Sequence, residues 1–191
     1  DMNDLKDEVK TSLLRRQITD EIVAALGFSK EGWVRRLLGP FCFPPAHLFS
    51  KIFARSDRVV RESGVNVAAD QLLSRFVDRI QVMGKERIPE EGPLIVASNH
   101  PGAYDSIAII SNLPRQDLKV IVSDVPFLRS LPAVSQRLIF TPSGPYSRMA
   151  ALRGLLRHVQ EGGAALIFPS GLVDPDPAFM PEAKNKLSTW S

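Results

Sequence analysis

Leu13, Leu14, Ile18, Ile22, Val23 and Leu26 recur three or four residues apart, the spacing that gathers apolar side chains on one face of an α-helix, and Gly27 ends the run. A second such stretch, LFSKIFARSDRVVRE, begins at Leu48. A third runs from about Val67 to Ile80, with Leu72, Leu73, Phe76, Val77 and Ile80 on one face and Asn66 as its cap. At Gln81 the texture changes: QVMG is short and apolar, KERIPEEG is a charged turn, and PLIVASN reads as a buried strand. After Asp105, SIAIISNL begins a helix, and LKVIVS (residues 118–123) is a second buried strand. DVPFLRSLP leads to RLIFT, a third. Ser147 caps an amphipathic helix that turns Met149, Leu152, Leu155, Leu156 and Val159 inward and ends at Gly162 and Gly163, before AALIF (residues 164–168) as a fourth strand.

Short buried strands alternating with helices predict an α/β fold, with a mostly parallel central sheet flanked by helices and a helical N-terminal segment. The expected division falls near residue 80, with the helical segment over 1–80 and the α/β core over 81–191. The chain has 191 residues, 44% of them apolar, enough to bury a genuine core. Its formal net charge of +3 is mild and its basic residues form no long runs, so nothing in it calls for nucleic acid. Cys42 is the single cysteine, which excludes an intrachain disulfide framework and fits a reducing compartment. The opening DMNDLKDEVK is unlike a signal peptide, and no apolar run approaches the ~20 residues that span a bilayer.

In sheets of this kind, ligand sites gather at the carboxyl ends of the strands. The two oddest local sequences fall there: NHPGAYD after PLIVAS, and PSGLVDPDP after AALIF. His100 and Asp105 would lie about 140° apart on a regular helix, which separates them. Pro101 and Gly102 turn the chain instead, so that Asp105 opens the next helix and points back at a histidine on the strand end. A carboxylate accepting from one imidazole nitrogen fixes the tautomer and leaves the other nitrogen basic. Unperturbed histidine titrates near ~6.5, which suits a base at neutral pH. The residues equally allow a structural reading, with Asp105 as an N-cap and His100 as a satisfied polar group. No metal site is expected, because two ligands are too few and neither His47 nor His158 has ligand spacing around it.

NHPGAYD matches the NHxxxxD signature of the glycerolipid acyltransferase family, the glycerol-3-phosphate and lysophospholipid acyltransferases. VMGKERIPEEGPLIVASNH resembles that family's approach to its histidine, and ALRGLLRHVQEGGAALIFPSG resembles the helix, glycine-ended turn and strand that lead into its FPEG block. The resemblance covers roughly residues 81–171 in the family's order. It implies that His100 takes the proton of an acceptor hydroxyl as that oxygen attacks an acyl thioester, with Asp105 orienting the imidazole. Acyl-CoA or acyl-ACP would be a co-substrate, and no other cofactor is implied. The acceptor would be a lysophospholipid, glycerol phosphate or another lipid or glycolipid, placing the protein in phospholipid biosynthesis. Pro169, Ser170 and Gly171 of the FPEG-like block would bind substrate.

Two positions depart from the family pattern. Ser170 stands where FPEG has its glutamate, and Thr141 and Pro142 stand where the second block carries a phosphate-binding arginine. Arg148, near the start of the next helix, replaces that arginine or is a solvated surface residue. Both departures touch acceptor binding, so an unusual acceptor is expected. Ser170 also admits an acyl-ester hydrolase built on Ser170, His100 and Asp105, although FPSGL lacks the G-x-S-x-G elbow. A non-catalytic lipid-binding module is the third reading. VDPDP (residues 173–177) reads as a rigid surface turn. In the family more sheet follows the FPEG block, so the chain ending at Ser191 is expected to be cut short.

Five of the ten phenylalanines lie between Phe28 and Phe53, close to Trp33. Trp33, Arg35, Arg36, Phe41, Phe43, Phe49 and Phe53 form a candidate membrane-interface surface, rings at headgroup level and cations against anionic lipid. Packing of the phenylalanines within the helical segment is the competing account. The expected location is cytoplasmic, peripheral on the inner face of the cell membrane.

Overall fold

The computed structural model describes residues 2–100, 102, 104–141 and 145–171, so that Pro101, Pro142 and residues 173–177 lie outside the described residues. The chain divides into two compact units, one of residues 1–62 and 125–136, the other of residues 63–124 and 137–191.

The first unit is helical. Helix α1 (Met2–Ala25) buries Leu14, Ile18 and Val23, and Gly27 follows it with a φ of 83°, a left-handed conformation that suits glycine. Helix α2 spans Trp33–Ser63, far longer than the stretch predicted from Leu48. Pro40, Pro44 and Pro45 lie inside it, each removing one N–H donor. The prolines signal a boundary locally, yet Cys42 and Ala46 beside them are buried, and packing carries the helix through. Two short helices, α5 (Pro126–Arg129) in the DVPFLRSLP link and α6 (Pro132–Ser135) at its end, fold into this unit. Leu131 joins Leu14, Ile18 and Ala46 in its core, with Phe49, Phe53 and Phe127 packed around them. The fully buried Asp57 accepts the backbone N–H groups of Ala133 and Val134 at 2.8 and 3.0 Å, satisfying the orphan donors of α6.

The second unit holds a four-stranded, wholly parallel sheet in the order β1-β4-β2-β3, with β1 at Leu94–Ala97, β2 at Lys119–Ser123, β3 at Leu138–Thr141 and β4 at Ala164–Ile167. Helix α4 (Asp105–Asn112) connects β1 to β2, and α7 (Pro145–Gln160) connects β3 to β4. The first connection runs one way along the sheet and the second runs back, so right-handed crossovers place these helices on opposite faces. On the α4 face, Leu118, Val120, Ala164, Leu166 and Leu113 form the core, with Leu94, Val96, Ile109 and Ile110 packed on it. On the other face α7 packs on β3 and β4, and Ile95 and Ala97 of β1 are exposed. Only Ala151 and Leu155 of α7 are buried among its described side chains, whereas Met149, Leu152 and Leu156, predicted to point inward, are exposed. Four-residue strands present a narrow surface, and a narrow stripe of the helix covers it.

Helix α3 (Val65–Leu73) packs on α4 within this unit and stops well short of Ile80. Asn66 is in its first turn and does not cap it; its side-chain amide donates to the carbonyls of Ile110 (2.8 Å) and Leu113, satisfying the end of α4.

Candidate active site

The ladder between β1 and β4 aligns Ala97 with Ile167, and the Ser98 N–H reaches the Ile167 carbonyl at 3.1 Å. The two unusual loops are therefore continuations of adjacent strands, although α4, two strands and α7 separate them in sequence. His100 leaves β1, Phe168 leaves β4, and their rings stack with centroids 4.4 Å apart.

Asp105 is the first residue of α4, after Tyr104 at the cap position. Its carboxylate reaches backward: one oxygen lies 3.0 Å from His100 Nδ1 and accepts the Gly102 N–H at 2.6 Å. The geometry favours the paired reading over the capping one. The N–H of Gly102 locks the carboxylate, and the carboxylate sets the tautomer in which Nδ1 carries the proton. Both side chains are about one quarter exposed, so the pair is accessible without being fully solvated.

His100 opens onto a pocket of about 210 Å³, with Ser106, Ser123, Thr141, Phe168 and Gly171 on its walls. Val120, Ile121 and Val122 of β2 complete its lining. It joins an imidazole, three hydroxyls and an apolar surface, an arrangement that can hold an acyl or alkyl group beside a base. Thr141 Oγ1 donates to the Val122 carbonyl at 2.9 Å, tying β3 to β2 at the pocket edge. Ser106, Ser123 and the ring of Phe168 were not singled out from the sequence. Ser123 and Thr141 both end strands, the position where parallel sheets build their sites.

The Phe168–Gly171 block folds as a tight turn closed by the Gly171 N–H on the Phe168 carbonyl at 3.0 Å, and Gly171 has a φ of 67°. Gly171 lines the pocket, Pro169 is exposed and Ser170 is half-buried between them. No described residue other than glycine has a positive φ, so Ser170 lacks the strained backbone of a nucleophile elbow. Arg148 is exposed on the first turns of α7. Among the described residues no three His, Cys, Asp or Glu side chains come together as a metal ion would require.

Fold and site define a parallel α/β protein with a histidine–aspartate pair over a pocket at the carboxyl edge of its sheet. A family model described as Acyltransferase matches residues 79–188, over half of the chain, and the chain belongs to that family. It is an acyltransferase enzyme. No curated protein and no solved structure matches it. Among the described residues no helix is long and apolar enough to cross a membrane.

Proposed function

We propose that the protein moves a fatty acyl group from an acyl thioester, acyl-CoA or acyl-ACP, to a hydroxyl of a lipid acceptor, with His100 as general base and Asp105 as its orienting partner. The observation that carries this reading is the 3.0 Å His100–Asp105 contact beside the pocket, in a chain of the Acyltransferase family. With Nδ1–H held by Asp105, Nε2 takes the proton of the acceptor hydroxyl as its oxygen attacks the thioester carbonyl. The tetrahedral intermediate then collapses, the C–S bond breaks, and the thiol leaves with the proton that His100 carried. The acceptor is a lysophospholipid, glycerol phosphate or related lipid or glycolipid, as phospholipid biosynthesis requires. Thr141 and Ser170, in place of an arginine and a glutamate, give its polar end uncharged hydroxyls to meet, with Gly171 at the pocket wall, Pro169 in the same turn and Arg148 on the next helix.

Lipid substrates require access to a membrane surface. On α2, Trp33 and Phe41 are about three quarters exposed (74% and 77%), and Phe43 and Arg36 are exposed too. These residues form the interfacial stripe of the first unit and hold the protein peripherally on the cytoplasmic face of the cell membrane. Phe49 and Phe53 pack instead in the core of that unit, and Arg35 is paired with Asp20 at 2.6 Å.

The test is thiol release from long-chain acyl-CoA, with and without lysolipid and sugar-lipid acceptors, on this chain and on His100→Ala. Acceptor-dependent release that disappears in the variant is expected. Acceptor-independent release, lost in Ser170→Ala, would replace the transferase with a hydrolase. Absence of release with every donor and acceptor would leave a lipid-binding module.

A further inference from the structure

Between the end of α3 and the 3₁₀ turn at Lys85–Arg87, the chain runs without regular structure. From Ser74 to Met83 only Val77 is partly covered. Phe76, Ile80 and Val82 are each about 40% exposed, and Met83 is 85% exposed. A loop facing water alone has no use for four such side chains within eight positions. Arg75, Arg79 and Lys85 are interleaved with them, all exposed, and none has an ion-pair partner among the described residues. Asp78 and Glu86 are the acidic residues of the stretch, and Glu86 is paired with Arg87 at 3.7 Å.

This segment touches the site. The Phe76 ring stacks on Tyr104, with centroids 5.0 Å apart and planes 20° from parallel. Tyr104 immediately precedes Asp105, whose carboxylate holds His100.

We propose that residues 75–85 are a second lipid-contacting element, on the catalytic unit itself, that seats the His100–Asp105 edge on an anionic bilayer. Arg75, Arg79 and Lys85 meet headgroup phosphates, and Ile80, Val82 and Met83 enter the interface, the unbranched Met83 adapting most readily to disordered chains. The Phe76–Tyr104 stack then fixes the depth of the catalytic turn against the lipid. The choice of a bilayer over a protein partner rests on cations without an ion-pair partner among the described residues, alternating with apolar side chains on an exposed loop, a composition that matches headgroup and acyl boundary together. The acyltransferase reading supplies the reason for such an element, but binding to lipid is measured without turnover, so either idea can fail alone.

The experiment is partition of the full chain onto phosphatidylcholine vesicles with and without phosphatidylglycerol, at low and high salt. Wild-type protein is expected to prefer the anionic vesicles. Ile80→Ser/Met83→Ser should weaken partition roughly tenfold at either salt, since it removes inserted apolar surface. Arg75→Gln/Arg79→Gln/Lys85→Gln should weaken it by roughly 10²-fold at low salt and much less at high salt. Circular dichroism checks that these exposed changes leave the fold intact, and Trp33→Ser/Phe41→Ser reports the contribution of α2 separately. No partition by the wild type, or unchanged partition in both loop variants, overturns the proposal. Unchanged partition with weakened binding of an acidic acyl carrier protein overturns it too, and makes the loop a protein dock.

Discussion

His100 and His158 stand at opposite ends of the same parallel sheet, each near an aspartate, and the two ends are built for different purposes. At the amino end His158 Nε2 lies 2.9 Å from the Asp117 carbonyl and 3.1 Å from the Ala164 carbonyl, so that nitrogen carries a proton shared between two acceptors. Beside it the Arg115 side chain, 2% exposed, donates to the carbonyls of Gly92 (2.7 Å), Gly162 (2.9 Å) and Pro89 (3.3 Å) and to both carboxylate oxygens of Asp117. These contacts tie together the segments that enter β1, β4 and β2. At the carboxyl end His100 Nδ1 meets the Asp105 carboxylate, its ring stacks on Phe168, and it borders a cavity. A histidine whose ring is committed to main-chain carbonyls holds strands together. One held at Nδ1 by a carboxylate beside open volume has the placement that the proposed general base needs.

Substitutions at each end in turn, with rate and stability read separately, show whether the two ends have different roles. His100→Ala should lower acceptor-dependent thiol release by roughly 10²–10⁴-fold, the usual worth of general-base catalysis, while leaving the urea midpoint nearly unchanged. A large stability loss with proportionate activity loss would make His100 structural. Arg115→Met should do the reverse. It strands three carbonyls and a carboxylate, and should cost about 2–3 kcal/mol in urea unfolding while the folded fraction keeps its specific rate. Gly163→Ala attacks the same end through packing, since a Cβ there would land on the His158 ring. The ring is held by two hydrogen bonds and has little room to yield, so a loss of about 1–3 kcal/mol is expected in the same measurement.

The two ends also differ in how they could be read from the sequence. Three of the four strands were legible to within a residue, because runs such as LKVIVS and AALIF are short, continuous and apolar, and PLIVASN overran β1 by two residues at its end. The contact between His100 and Asp105 was legible because proline and glycine after such a run are a local signal for a turn. The order of the strands was not legible: β1 lies beside β4 through a ladder between distant segments, and that ladder brings Phe168 to His100. The roles of Arg115 and Asn66 are hidden for the same reason, since each satisfies main-chain groups far away in the chain, and Asn66 reads locally as a helix cap. Helix boundaries failed where local and tertiary preferences diverge. The prolines of α2 argued against a helix that packing sustains. Phe76 and Ile80 continued a helical period that the chain abandons beyond Leu73, where Phe76 stacks on Tyr104.

The smallest expected effect comes from the Arg115–Asp117 pair as pH is lowered. The hydrogen bond from Arg115 holds the Asp117 carboxyl below the usual carboxylate range, and Asp117 in turn raises the guanidinium further above its already high value. A carboxyl depressed on folding stabilises the protein above its unfolded-state pKa, near ~3.9, and that contribution fades as pH falls through the lower folded-state value. Arg115 stays charged throughout this range and adds no slope. The Asp117 side chain is 43% exposed, so solvent screens the pair and the effect is modest. Urea midpoints measured from pH 6 to pH 3 should fall most steeply below about pH 4, and Asp117→Asn should flatten the final part of that fall. The Asp105→Asn variant provides the contrast, since it should change the pH profile of thiol release through His100. If Asp117→Asn altered that profile instead, the two ends of the sheet would be coupled, and the division between a structural and a catalytic end would have to be given up.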